Sequence, residues 1–478
     1  MNLEQAMKST SEASRVSSDL RPAGQILLVS CYELGHQPLG IALPMGFLER
    51  AGYSPVAMDI AVEELDEQKM LQANFIGISV PMHTAMRLGV QVAARARELN
   101  PDCQICFYGL YASLNHDYLV QHGADYCIGG EYEARLVALV ESLDSGSVGE
   151  IEGVITREKT ALPVMKRLPF AIPSRDKLPD LDQYARLEHE GECRTAGYVE
   201  ASRGCLHLCT HCPIPPVYNG RFFAVPAEVV QEDIRRQVAA GAKHISFGDP
   251  DFLNGPSHAI RVVRAMHEEF PELTFDFTAK VEHLLSRGQH LQEFADSGCL
   301  FIISAVESLS NQVLKILDKQ HSRADVESAL QLVSQTGITL RPTWVAFTPW
   351  TTRSDYLEML EFAETNDIID HIDPVQYSIR LLIPPGSWMA DLPETKPHLG
   401  ALDEASFTYR WPHPDPWMDE LQKSVAQLVE RDAANEEDPG QTFYRIWELA
   451  RAGEPVRPAS RLSADRERAP RLSESWFC

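Results

Sequence analysis

The stretch "SRGCLHLCTHCPIP" (202–215) places Cys205, Cys209 and Cys212 at spacings of four and three. Thiols at this density hold a metal or each other. A structural zinc site usually closes its tetrahedron with two ligand pairs, and no second pair follows at suitable spacing. His207 and His211 could supply a fourth ligand, but both fall inside the loop itself. Iron–sulfur clusters are held by cysteine thiolates, and a cubane with three protein ligands keeps one iron free for a substrate. The chain has ten cysteines without the dense regular spacing of a disulfide scaffold, which suggests free thiols plus this one cluster. Cys103 and Cys106 also form a CxxC. They open the strand-like run "QICFYG", where residues three apart point to opposite faces, so they read as buried structural thiols.

The cysteine loop follows directly on the run "GYVEAS", which reads as a strand, so the thiols lie at that strand's carboxyl end. Further apolar runs follow at "HISFG", "LTFDFT", "LFIISA", "TLRPTWVAF" and "VQYSIRLLI". Helical patterns separate them, as in "PAEVVQEDIRRQVAAGA", where Val230, Ile234 and Val238 recur four apart. Six such units are too few for a complete eight-unit barrel and suit a partial one, with chemistry at the carboxyl ends of the strands. An earlier βα series, "QILLVSCY", "PVAMDI", "FIGISVP", "QICFYG" and "DYCIGG", predicts an open parallel sheet covered on both faces. Such sheets bind ligands at their carboxyl edge, here "CYELGHQPLG", "PMHTAM", "GLYASLN" and "GGEYE". The expected organisation is a disordered tail (1–24), the sheet domain (25–150), an irregular linker (151–195), the partial barrel (196–395), a helical region (396–455) and a flexible tail (456–478).

The net charge of −25 disfavours nucleic acid and favours a small-molecule partner. No run of about 18 apolar residues appears, and the start "MNLEQAMKSTSEASRVSSDL" lacks a basic patch before an apolar stretch. A cytoplasmic protein without a membrane span is therefore expected. The oligomeric state is not written in the sequence.

CxxxCxxC on the loop after the first strand of a partial barrel, with "SRG" ahead and Pro213 behind, resembles the signature of radical S-adenosylmethionine (radical SAM) enzymes. The resemblance implies a [4Fe–4S] cluster on Cys205, Cys209 and Cys212, with S-adenosylmethionine (SAM) chelating the free iron. It also implies a reductant such as flavodoxin or ferredoxin, and reductive cleavage of the sulfonium to a 5′-deoxyadenosyl radical. "HISFGDPDF" falls where the family contacts the methionyl amino group. Gly248 permits close backbone approach, and Asp249 or Asp251 could accept from the ammonium. The usual glycine-glycine-glutamate is absent, which leaves the contacting atom open, and Asp251 reads equally as a helix cap. "SAVESLS" resembles the ribose-contacting segment, with Glu307 and Ser308 facing the two hydroxyls. Arg380 in "SIRLLIPPGS", or Lys280 after "FDFTA", could pair with the cofactor carboxylate or belong to a structural ion pair.

A flavodoxin-like domain ahead of a (β/α)6 radical SAM barrel and a helical carboxyl-terminal region is similar to the cobalamin-dependent branch of that superfamily. "HQPLGIALPMGFLERAGY" and "PSRDKLPDLDQY" resemble its first helix and its linker. The cobalt-ligating string Asp-x-His-x-x-Gly is absent, and His36 is a lone loop histidine, so cobalamin binding and an empty scaffold domain both stay open. "CFYGLYASLNHDYL", "FGDPDFLNGP", "AFTPWTT" and "RLSESWFC" resemble a small radical SAM family with a tail of cysteine, selenocysteine or cysteine, then Ala-Glu-Pro. On that likeness, Cys478 would precede a selenocysteine. The function implied is radical chemistry on a small molecule, with cobalamin-dependent methyl transfer as one form. Aminocarboxypropyl transfer to a soft acceptor such as arsenic is the alternative within enzymes, and a non-catalytic metal-binding or electron-transfer protein is the alternative outside them. Trp344, Phe347, Trp350 and Trp388 either wall a substrate pocket or pack the core.

Overall fold

Five short apolar runs become the parallel strands β1 (Ile26–Ser30), β2 (Val56–Asp59), β3 (Phe75–Ser79), β4 (Gln104–Tyr108) and β5 (Tyr126–Ile128). The structure is a computed structural model and describes residues 19–146, 149–452, 466 and 468–474. A two-residue strand, β6 (Val154–Ile155), pairs antiparallel with β5 and completes the order β2-β1-β3-β4-β5-β6. The first five strands have the order of flavodoxin-like sheets. Every residue of β1 and β3 is buried, as strands covered on both faces require. Cys103 and Cys106 are buried free thiols. Burial pushes Cys103 up to about 12 and Cys106 well above its ordinary value, so both are inert structural thiols.

The described residues fall into two compact units, one of 19–31, 40–81 and 88–178, the other of 32–39, 82–87 and 179–474. The expected linker therefore divides. Its first part belongs to the sheet unit. Its second part forms the hairpin β7 (Arg186–His189) and β8 (Glu192–Val199), joined by Glu190 and Gly191, both at positive φ (52° and 75°). That is the conformation a two-residue hairpin turn demands, and Glu190 gives little sequence signal for it.

In the second unit, β8 is followed by a short ribbon, β9 (Ser202–Gly204) with β10 (Phe222–Ala224), and then by β11 (His244–Phe247), β12 (Thr274–Thr278), β13 (Cys299–Glu307) and β14 (Thr339–Trp344). The strands β8, β11, β12, β13 and β14 are parallel neighbours in a curled half-barrel. The sixth run, "VQYSIRLLI", forms a 3₁₀ turn, Pro374–Ser378, and a single parallel bridge, Phe347 to Arg380. Pro374 has no N–H to give a ladder, and Pro384 and Pro385 end the segment. After a small antiparallel pair, β15 (Leu402–Asp403) with β16 (Thr408–Tyr409), come the helices Pro416–Ala434 and Pro439–Ala450, N-capped by Asp415 and Asp438.

Two expected tails are partly structured. Leu20 is buried and Arg21 pairs with Asp144 at 3.4 Å, so packing begins before residue 25. At the other end, β17 (Arg471–Leu472) pairs antiparallel with β7, because Leu472 has an apolar site among Leu187, Ala196, Phe301 and Ile303. Cys478 lies outside the described residues.

Behind the strand ends, Phe247, Phe252, Phe275, Phe277 and Phe294 pack with ring centroids 4.5–6.5 Å apart. Phe277 is fully buried at the centre of this cluster. Phe277→Ala is expected to destabilise the second unit by about 3–5 kcal/mol, read by urea denaturation followed by circular dichroism.

Candidate active site

The route out of β8 is fixed by a carboxylate. Asp249, just past β11, accepts the Ala201 N–H at 2.8 Å and the Ser202 hydroxyl at 2.5 Å. Burial raises its carboxyl to about 7 in spite of those bonds. The ribbon of β9 and β10 then brackets residues 205–221 as a closed loop, with Ser202 opposite Ala224. Cys205 and Cys209 are buried on it and Cys212 is partly exposed. Burial pushes Cys205 up to about 11 and Cys212 to about 12, and the neighbouring thiols add to both shifts. The three sulfurs are thus close enough to feel one another's charge. A thiophilic metal that replaces their protons would stabilise the loop outright. Asn254 completes the mount: its Oδ1 accepts the Leu206 N–H at 3.2 Å and lies 4.0 Å from Cys205 Sγ.

Both loop histidines face carboxylates. His207 Nε2 lies 3.5 Å from Asp251 and 3.4 Å from His283 Nδ1. His211 Nε2 lies 3.3 Å from Glu307 Oε1. Both imidazoles turn Nε2 toward a carboxylate, and the sulfur donors on the loop are Cys205, Cys209 and Cys212.

The strand ends carry the other expected residues, and the structure gives several of them internal partners. Gly248 is required by the fold: a Cβ there would meet Tyr198 Oη at 2.1 Å. Asp251 caps the turn Phe252–Asn254 through the Leu253 N–H (3.0 Å), and its other oxygen takes the Lys280 N–H (3.3 Å) and His283 Nδ1 (2.9 Å). Burial opposes its ionisation, but the two histidines outweigh it and hold the carboxyl below its ordinary range. Glu307 ends β13 at φ 69°. Burial would raise its carboxyl, but the Lys319 ammonium at 3.3 Å, together with His211, holds it at about 2. Ser308 accepts the Ser310 N–H at 3.1 Å. Arg380 pairs with Asp419 at 2.7 Å, bonds the Trp411 carbonyl and lies over the Trp411 ring at 3.6 Å. Its guanidinium is committed to the helical region. Trp344 and Phe347 are buried in the core, while Trp350 and Trp388 are partly exposed.

Three residues escaped the sequence reading: Lys319, His321 and Asn254. Lys319 follows the helix Asn311–Ile316, and its ammonium is close enough to Cys209 and Cys212 to interact with their charge. "LDKQHS" reads as an ordinary helix end, so only the tertiary position shows it. Among the described residues, Lys280 Nζ, Asn254 Nδ2, Ser304 Oγ, His211 Nδ1 and His321 Nδ1 are buried with no hydrogen-bond partner. Orphans of this kind, on the cysteine loop, past β11 and β12, within β13 and ahead of the helix Arg323–Ser334, are what a polar ligand would satisfy. Burial, with Lys319 and Lys280 nearby, lowers His321 to about 4, so it is neutral at pH 7. The residues present fit a three-cysteine cluster and a zwitterionic ligand beside it.

Residues 199–363 match the radical SAM superfamily, and the chain therefore carries a radical SAM domain, the domain of an enzyme class built on a [4Fe–4S] cluster and SAM. Among its relatives, the hopanoid C-3 methylase of Methylococcus capsulatus is 25% identical over 66% of this chain. The match spans 62% of that relative's length. Among solved structures, the cobalamin-dependent radical enzyme OxsB with aqua-cobalamin bound has a TM-score of 0.66 at 17% identity, covering 85% of this chain and 67% of its own. The radical SAM methyltransferase TsrM of Kitasatospora setae, with tryptophan and a SAM analogue bound, gives 0.61 at 16%, covering 72% and 71%. These likenesses show a shared fold of sheet domain plus half-barrel. Among the described residues, no helix is long and apolar enough to cross a membrane.

The Glu307–Lys319 pair gives a direct test of the site's electrostatics. Lys319→Met is expected to cost about 3–5 kcal/mol, because it strands a buried carboxylate. The double variant Glu307→Gln/Lys319→Met should recover most of that loss in the same denaturation experiment.

Proposed function

We propose that this chain is a radical SAM enzyme that cleaves SAM reductively at a cluster held by Cys205, Cys209 and Cys212 and acts on a small molecule. The observation that carries the reading is the loop that gathers Cys205, Cys209 and Cys212 at the mouth of the half-barrel, since three thiolates leave one iron of a cubane for an exogenous ligand. When bound and reduced, such a cluster would supply one electron to the SAM sulfonium, breaking its S–C5′ bond to give methionine and a 5′-deoxyadenosyl radical.

The chain's own residues bind, orient and exclude water. Lys280, a buried ammonium without a partner, takes the carboxylate of SAM, a role that the pairing with Asp419 removes from Arg380. Asp249 and Asp251 serve the ammonium indirectly, by fixing the loops around it. Glu307, kept ionised by Lys319, accepts from a ribose hydroxyl, with Ser308 beside it. Gly248 and Asn254 set the floor against the cluster loop.

Cobalamin-dependent methyl transfer is the form of chemistry we favour, supported by the flavodoxin-like order of the sheet domain and by the fold shared with OxsB and TsrM. His36 does not add a displayed cobalt ligand. It is buried, its ring is stacked on Tyr198 at 4.3 Å, and burial lowers it to about 3. A corrinoid would be held by contacts without a histidine on cobalt. A cytoplasmic setting and a flavodoxin or ferredoxin reductant complete the proposal.

The test is anaerobic reconstitution with iron, sulfide, reductant, SAM and cobalamin, followed by mass analysis of the nucleoside products. Wild type should bind about four irons per chain and release 5′-deoxyadenosine. S-adenosylhomocysteine should appear if methyl transfer occurs. Ala at any one of the three cysteines should abolish both products. Methylthioadenosine instead would indicate aminocarboxypropyl transfer, and zinc without iron absorbance would indicate a non-catalytic module. Lys280→Met should weaken SAM binding about 10–100-fold by equilibrium dialysis with cluster content unchanged.

A further inference from the structure

A second set of donors, distinct from the three thiols, overlaps the cysteine loop at His207. Glu282 and His283 open the short helix Val281–Ser286 after β12, and His207 reaches them from between Cys205 and Cys209. One donor atom from each residue lies within 4.8 Å of the other two. We propose that His207, Glu282 and His283 form a separate site for a divalent zinc-class ion, with Asp251 orienting His283 behind it.

Three observations support the assignment. First, His283 is held by the tautomer-fixing bond that metal-bound histidines show. Its Nδ1 donates to Asp251 Oδ2 at 2.9 Å, leaving the Nε2 lone pair for a metal, as in carboxylate–histidine–zinc arrangements. Asp251 is itself immobile, fully buried and bonded to the Leu253 and Lys280 N–H groups. Second, Glu282 Oε2 lies 3.8 Å from His207 Nε2 and 3.7 Å from His283 Nε2. Both separations exceed a hydrogen bond, so the oxygen is poised between two imidazoles without bonding either. Ligand atoms at about 2.0–2.1 Å from a tetrahedral zinc are themselves about 3.3 Å apart, so small side-chain rotations close the set. Third, Glu282 and Asp251 together carry the charge that offsets a divalent cation.

Two histidines and one glutamate leave a fourth position, toward the partly exposed side of Glu282, for water or a small ligand. The ion would tie the cysteine loop to the end of β12, so that the loop's geometry is set before any cluster is inserted. The donor set is nitrogen and oxygen, which suits zinc-class ions, whereas the all-sulfur set next to it suits iron–sulfur chemistry.

The test uses the full chain carrying Cys205→Ala, Cys209→Ala and Cys212→Ala, so that zinc cannot bind through thiols of the loop. Equilibrium dialysis against Zn²⁺ with elemental analysis should give one tightly held zinc per chain. Adding Glu282→Gln or His283→Ala should weaken binding at least about 100-fold, and adding Asp251→Asn about 10–100-fold. In the wild-type chain with its cluster reconstituted, zinc should accompany iron, and Glu282→Gln should lose zinc while keeping its iron. Circular dichroism reports folding for each variant, and Glu282, partly exposed, is the substitution that leaves the core intact. The proposal is overturned if the folded triple variant holds no zinc, or if Glu282→Gln holds it as tightly as its parent. Because the readout is zinc and not nucleoside product, this outcome is independent of whether SAM is cleaved.

Discussion

A cluster on this loop must displace the protons of Cys205 and Cys212 where burial opposes it, and much of the site is arranged around that demand. Cys205 and Cys212 are pushed well above the ordinary thiol range, so without a metal these two stay protonated. Metal coordination reverses the balance, since a thiophilic ion takes the place of the protons. The protein contributes positive charge: the Lys319 ammonium is stabilised both by Glu307 and by the charge of Cys209 and Cys212. It also contributes rigidity, through Asp249 at the exit of β8 and the β9–β10 ribbon around the loop.

The same economy of groups runs along the strand ends. The segments that leave the half-barrel strands carry polar residues of two kinds. Asp249, Asp251 and Arg380 have their bonding capacity taken up by protein groups and act as fixtures. Lys280, Asn254 and His321 keep a buried polar atom with no partner among the described residues, which is costly unless a ligand supplies one. That contrast locates a binding surface more sharply than residue type does. A carboxylate near a strand end attracts attention in any sequence, yet here the ammonium and the amide hold the unspent capacity.

The cysteine loop and the parallel sheets were legible because their signals are local: thiol spacing, apolar runs of strand length and amphipathic helices between them. The five parallel strands of the first sheet follow from the same rhythm, whereas their order is seen only in the structure. What the sequence hid depends on partners far along the chain. Gln237 sits on a helix read through Val230 and Ile234, but it is buried, with its amide bonding both the N–H and the carbonyl of Tyr198. Lys319 lies over a hundred residues from the cysteines it influences. "VQYSIRLLI" has strand composition, but its flanking prolines limit it to one bridge. Leu472, in a tail rich in charge, is drawn into order by one apolar site. Composition cannot show any of these, because each is decided by which surface happens to lie opposite.

The measurement that tests the central claim most directly is electron paramagnetic resonance of the reduced, cluster-loaded chain with and without SAM. The account predicts a [4Fe–4S]⁺ signal whose g-values change when SAM is added, since the sulfur trio leaves one iron open to it. A cluster signal indifferent to SAM, or a chain that folds around zinc at these three cysteines and takes up no iron, would contradict it.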